Sequence, residues 1–359
     1  LFNDITMLNL GFPENDHELF EQNKIYHNKQ LGEFIKKSRD DSKDSTCYNC
    51  GTPCTSFCNS HSVPKFCLKK IAVNGQLYYS NTLINVPVLD SEKGINKAGT
   101  FRIICRDCDN KMFTDYENPD NYLQVPTGKM LAQIALKNYL MSISKRKMEI
   151  AMYNNLSKMY GKTVSQHQTI NNLDLNQFTG GFKYAKKATE MKWDDYYFLL
   201  YYENLDYIVP IAFQNNIALI TDFEGKIINN VYDTTSNYQI KYIHICIFPL
   251  EKHSVIIMFI DNGEKRYSSF YKQFKKLSVD DKLKTINYIL FSYSEDIFFH
   301  KGIDNVLLNN TKLREVAQQT SVALTSNPFT NPIKSAANAF DLNKRNTIPN
   351  FLDEANKIK

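Results

Sequence analysis

Apolar and polar positions alternate with different periods along this chain, and the periods predict its elements. In residues 127–160, Met130, Leu131, Ile134, Leu136, Leu140, Met141 and Ile143 recur at helical spacing, with no Gly or Pro between Lys129 and Tyr160. One long helix is expected there. Gly161, the polar run 165–177 and the pair Gly180-Gly181 predict a hinge or domain boundary after it. The texture then changes. Residues 196–202, 207–213, 217–221, 227–232, 240–248 and 255–260 are short runs rich in β-branched and aromatic residues. Asn215-Asn216 and Asp261-Asn262-Gly263 read as turns between them, and Phe223-Glu224-Gly225-Lys226 as a hairpin tip. Ser278-Val279-Asp280-Asp281 fits a helix-capping box, followed by Leu283, Ile286, Ile289 and Leu290 at helical spacing. The fold class expected is α+β, with a mainly antiparallel sheet flanked by helices.

This pattern divides the chain into an N-terminal helix and linker (1–46), a cysteine-bearing module (47–125), a basic helical connector (126–189), an α+β regulatory or interaction domain (190–325) and an extended tail (326–359). A length of 359 residues allows two or three domains. The 22 Tyr and 23 Phe exclude wholesale disorder. No apolar run approaches the ~20 residues that span a bilayer, so no membrane partner is expected. No charged segment followed by an apolar one opens the sequence, and a cytoplasmic location is expected.

The net charge of +5 is modest, but it is unevenly placed. Lys129, Lys137, Lys145, Arg146, Lys147, Lys158 and Lys162 face only Glu149 in residues 126–164. Such a basic helix predicts a phosphate-tracking surface, with Lys145, Arg146 and Lys147 as nucleic-acid contacts; the alternative is an ordinary solvated helix face. Lys272, Lys275 and Lys276 form a weaker group. In the distal half, His244 and Cys246 alternate with Ile243, Ile245 and Ile247, which predicts packing rather than ligation. No Gly-rich phosphate loop is present, which argues against an NTPase.

Seven of the eight cysteines lie between Cys47 and Cys108. Cys47-Tyr48-Asn49-Cys50 and Cys105-Arg106-Asp107-Cys108 are two Cys-x-x-Cys pairs, each a knuckle that presents two thiolates on one side. Together they predict a structural Zn²⁺ site with Cys47, Cys50, Cys105 and Cys108 as ligands. Gly51 suits the turn of the first knuckle. Cys54 and Cys58, with His61, could ligate a second ion or replace one of the four. Cys67 reads as a small buried hydrophobe.

Cys-x-x-Cys, then His61-Ser62-Val63-Pro64, then Cys105-Arg106-Asp107-Cys108 followed by Asn110, resembles the HNH endonucleases over about 70 residues. The resemblance implies a zinc-stapled, treble-clef ββα-metal module. It implies His61 as general base on the attacking water, and Asn110 opening a helix where it holds the metal or orients the histidine. It also implies a catalytic Mg²⁺ or Mn²⁺ at the scissile phosphate. Two departures stand out. Ser60 occupies the place of the family's usual acidic ligand, and the third histidine is missing. Asp109, Asp115 and Glu117 are the carboxylates near enough in sequence to substitute. The expectation is a metal-dependent endonuclease acting on DNA phosphodiester bonds, for example as an effector in bacterial defence against phage. Its distal domain would gate it, oligomerise or bind a protein partner. The competing expectations are a non-catalytic zinc finger that binds nucleic acid or protein, and a scaffold whose distal domain is the active part.

Overall fold

A computed structural model describes residues 22–79, 92–161, 165–190, 195–319 and 331–358. The first described element is helix α1 (Lys24–Asp41). The cysteine module follows, with strand β1 (Ser60–His61), helix α2 (Lys65–Ile71), strands β2 (Gln76–Tyr79), β3 (Glu92–Gly94) and β4 (Thr100–Phe101), and helix α3 (Arg106–Met112). Two long helices, α4 (Gly128–Tyr160) and α5 (Ser165–Glu190), lead into strands β5 (Tyr197–Leu205), β6 (Ile211–Ile217), β7 (Ile243–Pro249) and β8 (Ser254–Asp261). Helices α6 (Ser268–Lys275) and α7 (Val279–Tyr293), strand β9 (Phe298–Phe299), and helices α8 (Asn305–Leu308), α9 (Thr311–Ala317) and α10 (Pro332–Ala339) follow among the described residues. No described helix is long and apolar enough to cross a membrane.

The expected helix at 127–160 forms with its caps in place. Thr127 Oγ1 accepts from the Met130 amide, and Gly161 closes the helix with φ +62°. The expected hinge beyond it is instead α5, which runs straight through the polar segment and both glycines. Gly181 is there for contact rather than flexibility. A Cβ at that position would lie 2.3 Å from the Tyr139 ring, so glycine lets α5 approach α4 closely.

The sheet is antiparallel and has the order β3-β2-β9-β6-β7-β8-β5, while β1 and β4 form a separate two-stranded ladder. Alternate residues of the central strands feed two cores. Cys246, Phe248, Val255, Ile257 and Phe259 join the core shared with α4, α5 and the cysteine module. Ile243, Ile245, Ile247, Ile256, Met258 and Ile260 pack against α6, α7 and the C-terminal segment. Coverage of both faces explains why these strands read as unbroken apolar runs.

The cysteine module and the distal region share a sheet and a core: β2 and β3 extend the large sheet through β9, and one apolar core cluster runs from Cys47 to Phe298. Asn215-Asn216 lies inside β6 instead of forming a turn, and residues 217–232 carry a single bridge, Thr221 to Ile227, around Gly225 at φ +78°. The tail is not extended over its described part. It forms α10 and two 3₁₀ turns, and buries Phe340, Leu342, Ile348, Phe351 and Leu352. Asn287 of α7 holds it by donating to Pro349 O and accepting from the Phe351 amide.

Candidate functional site

The first knuckle is closed by Cys47 N donating to Thr52 O at 2.8 Å and Gly51 N to Cys47 O at 2.8 Å, with Gly51 at φ +72°. The second knuckle is the start of α3. Cys105 is its N-cap, and its Sγ accepts from the Cys108 amide at 3.4 Å. The β1–β4 ladder and the backbone bonds Tyr48 N to Ile103 O and Cys58 N to Ile104 O bring these local turns together. The four Sγ atoms of Cys47, Cys50, Cys105 and Cys108 all lie within 4.8 Å of one another, with Cys47–Cys108 at 3.7 Å and Cys50–Cys105 at 4.0 Å. Tetrahedral zinc with Zn–S bonds of about 2.3 Å requires S···S edges of about 3.8 Å, so the donor set fits Zn²⁺. The sulfurs are also supported from outside, by Cys105 N donating to Cys47 Sγ at 3.2 Å and Asn49 Nδ2 donating to Cys108 Sγ at 3.2 Å. Hydrogen bonds from Thr52 pull the Cys50 thiol down to about 6, whereas burial pushes Cys108 up to about 12. A metal would resolve that split by deprotonating all four.

The remaining cysteines play other parts. Cys54 packs beside the four without joining them, and burial followed by the neighbouring thiols raises its pKa. Cys58 Sγ lies 3.3 Å from Asp109 Oδ2 and is pushed up to about 11 by burial and by that carboxylate. Cys67 is fully buried, as a small hydrophobe would be.

His61 ends β1, which pairs with β4 through Ser60↔Phe101 and His61↔Thr100. Its Nε2 lies 3.0 Å from the Ile95 carbonyl, which can only accept, so Nε2 carries the proton and Nδ1 is the basic nitrogen. Burial lowers its pKa and keeps the ring neutral. Asn110 is exposed on α3. Asp109 and Asp115 are both engaged by α4. Asp115 accepts from Lys129 at 2.9 Å and from Gln133 at 2.7 Å. Asp109 accepts from Ser60 Oγ at 2.5 Å and from Lys137 Nζ at 3.1 Å. Burial works to raise the Asp109 carboxyl, but Lys137, Ser60 and Cys58 overcome it and hold it below the usual carboxylate value.

Lys137 is the residue that spacing along the sequence did not single out for this place. Its side chain is 1% exposed, and its ammonium lies 2.8 Å from Ser60 Oγ, 3.1 Å from Asp109 Oδ1 and 3.0 Å from Glu117 Oε1. It also sits 3.6 Å above the centre of the Phe113 ring. The residues nominated for a catalytic Mg²⁺ or Mn²⁺ therefore do not fit one. Among the described residues, the four cysteines are the one group of three or more Cys, His, Asp or Glu ligands close enough to share an ion.

Three basic residues of α4 are paired within the chain. Lys145 pairs with Asp296, Arg146 with Glu149 and Asp174 at 2.7 Å each, and Lys147 with Asp44. The three residues expected to contact nucleic acid are thus each engaged in an intramolecular ion pair, with the Lys145 side chain still about half exposed. Positive charge gathers elsewhere, around a groove of about 520 Å³ beside α2 and the β2–β3 hairpin. Lys65, Lys69 and Lys97 line it together with Ile95, whose carbonyl fixes His61, and no acidic side chain lines it among the described residues. Lys65 and Lys69 stand four residues apart, on one face of α2, directly after the His-x-x-Pro segment. That spacing was the available sequence signal, whereas Lys97 reaches the groove only through the β2–β3 pairing.

Comparison with family models, with curated proteins and with solved structures finds no match to this chain.

Proposed function

We propose that this chain binds nucleic acid, DNA in particular, through the lysine groove of its zinc-framed module. The observation that carries this reading is the groove itself, with three lysines, no acidic lining residue among those described, and Ile95, whose carbonyl anchors His61, in its lining. Lysines so placed meet phosphates as point charges and gain from releasing the counterions of the backbone. Zn²⁺ on the four cysteines would hold the two knuckles, and hence β1, β4 and α3, as a rigid support. The order of knuckle, short ladder and helix agrees with the treble-clef-like resemblance.

Hydrolysis of the held backbone, as in an HNH-like endonuclease, is the second reading. It is favoured by His61, whose neutral ring and basic Nδ1 suit a general base. Against it stands Lys137, which already occupies the oxygens a hard cation would need.

Fluorescence anisotropy with a labelled duplex, across a range of salt, tests binding. Each lysine that meets a phosphate contributes about 0.9 to the log–log salt slope, so Lys65→Glu/Lys69→Glu should flatten the slope by about 1.8. Unchanged binding in that variant overturns the groove. Plasmid incubated with Mg²⁺ or Mn²⁺ should stay intact. Nicking that disappears in His61→Ala would establish the second reading instead.

A further inference from the structure

We infer that Lys137 is the built-in cation of this module: its ammonium fills the oxygen nest of Ser60, Asp109 and Glu117, and the nest takes no divalent ion while the lysine is present. The inference rests on the HNH-like resemblance for its starting point and on the geometry for its content. A lysine is almost never fully buried unless its charge is met, and here it is met three times. The three N–H donors of an ammonium match three acceptors at 2.8–3.1 Å, supplied by β1, by α3 and by the segment after α3. The Phe113 ring face also lies 3.6 Å from the ammonium nitrogen.

The same three oxygens are the hard donors a Mg²⁺ or Mn²⁺ would use at about 2.0–2.2 Å. Two positive centres cannot share them, because the nest holds two carboxylates and the lysine already offsets one of them. The serine at the family's acidic position then has a reason. Ser60 Oγ accepts from Lys137 and donates to Asp109, a double role that a carboxylate could not perform. A third carboxylate would also draw a divalent ion into competition with the ammonium. Removing the amine should leave a site of two carboxylates and a hydroxyl, open to one hard cation with water completing its shell.

The test is Mn²⁺ binding followed by electron paramagnetic resonance on the zinc-loaded full chain, with zinc content measured for every variant. The wild type should show no saturable site below 1 mM on the order of magnitude typical of weak oxygen sites. Lys137→Ala should gain one Mn²⁺ per chain, and Lys137→Ala/Glu117→Gln should lose it again. A wild-type Mn²⁺ site that Asp109→Asn abolishes overturns the inference. So does a folded Lys137→Ala that gains nothing. If Lys137→Ala does not fold, the wild-type arm decides alone. No DNA enters the measurement, so its failure is separate from failure of the groove, which the anisotropy experiment reads.

Discussion

Acidification should destabilise this protein through one buried imidazole, His244. The ring lies on β7 with no exposed surface, stacked 4.6 Å from Phe259 and edged by Tyr139 and Tyr197. Asn138 Nδ2 donates to its Nδ1 at 3.0 Å, and Nε2 has no partner among the described residues. Protonation would put an N–H against an amide that also donates, and would leave a cation in an aromatic cage. Burial accordingly depresses its pKa to about 3. The unfolded chain, with an ordinary value near 6.5, binds the proton first, so stability falls as pH drops below about 6.5 and continues to fall toward about 3. At about 1.4 kcal/mol per pH unit, the loss by pH 5 is about 2 kcal/mol. Urea denaturation at pH 7, 6 and 5 would measure it, with His244→Leu as the reference. His61 is also depressed, and thiolates holding a metal would also take up protons in acid, but both remain in the variant. The wild-type curve should therefore be steeper than the variant's by about that amount. Parallel curves would refute the reasoning.

Three further outcomes are expected. Gly181→Ala places a methyl 2.3 Å from the Tyr139 ring and should cost about 1–3 kcal/mol in thermal or urea unfolding, whereas Gly180→Ala meets nothing within 4 Å and should stabilise α5 by up to about 1 kcal/mol. Cys47→Ser should lower the zinc content from one ion per chain and lower the melting temperature of the purified protein, while Cys67→Ala, away from the four sulfurs, should leave zinc unchanged by metal analysis. Phe351→Ala should cost about 3–5 kcal/mol by urea titration, because its fully buried ring packs 5.0 Å from Phe291 and 5.7 Å from Phe299 in the core of the distal sheet.

Local rules were sufficient for a definite part of this molecule. The two Cys-x-x-Cys turns, the long helix from its Thr127 cap to Gly161, and the Ser278 cap, whose Oγ accepts from the Asp281 amide, all depend on neighbours within a few residues. Apolar runs likewise located the strands β5 to β8, because each must bury its own side chains. The polar face of α5 misled the eye. Its polar run and paired glycines read as a hinge or domain boundary, yet Gly181 packs against a tyrosine on another helix. The tail misled for a similar reason. Its few apolar residues are spread among polar ones, and only the groove they fill beside α7 makes them core.

What the sequence determined by itself is the inventory: a thiolate set that suits zinc, a mixed α and β class, and a histidine between the two Cys-x-x-Cys pairs. What only the tertiary structure decided is which charges remain free. Lys145, Arg146 and Lys147 are paired with Asp296, Asp174, Glu149 and Asp44, although the Lys145 side chain stays about half exposed. Lys137 is drawn inside to balance Asp109 and Glu117, while Lys65, Lys69 and Lys97 are left facing a groove without an acidic lining residue among those described. A count of charges along a chain is blind to this. Charge pairing is set by distance in space, and a lysine is free or spent according to whichever carboxylate the fold brings within about 4 Å of it.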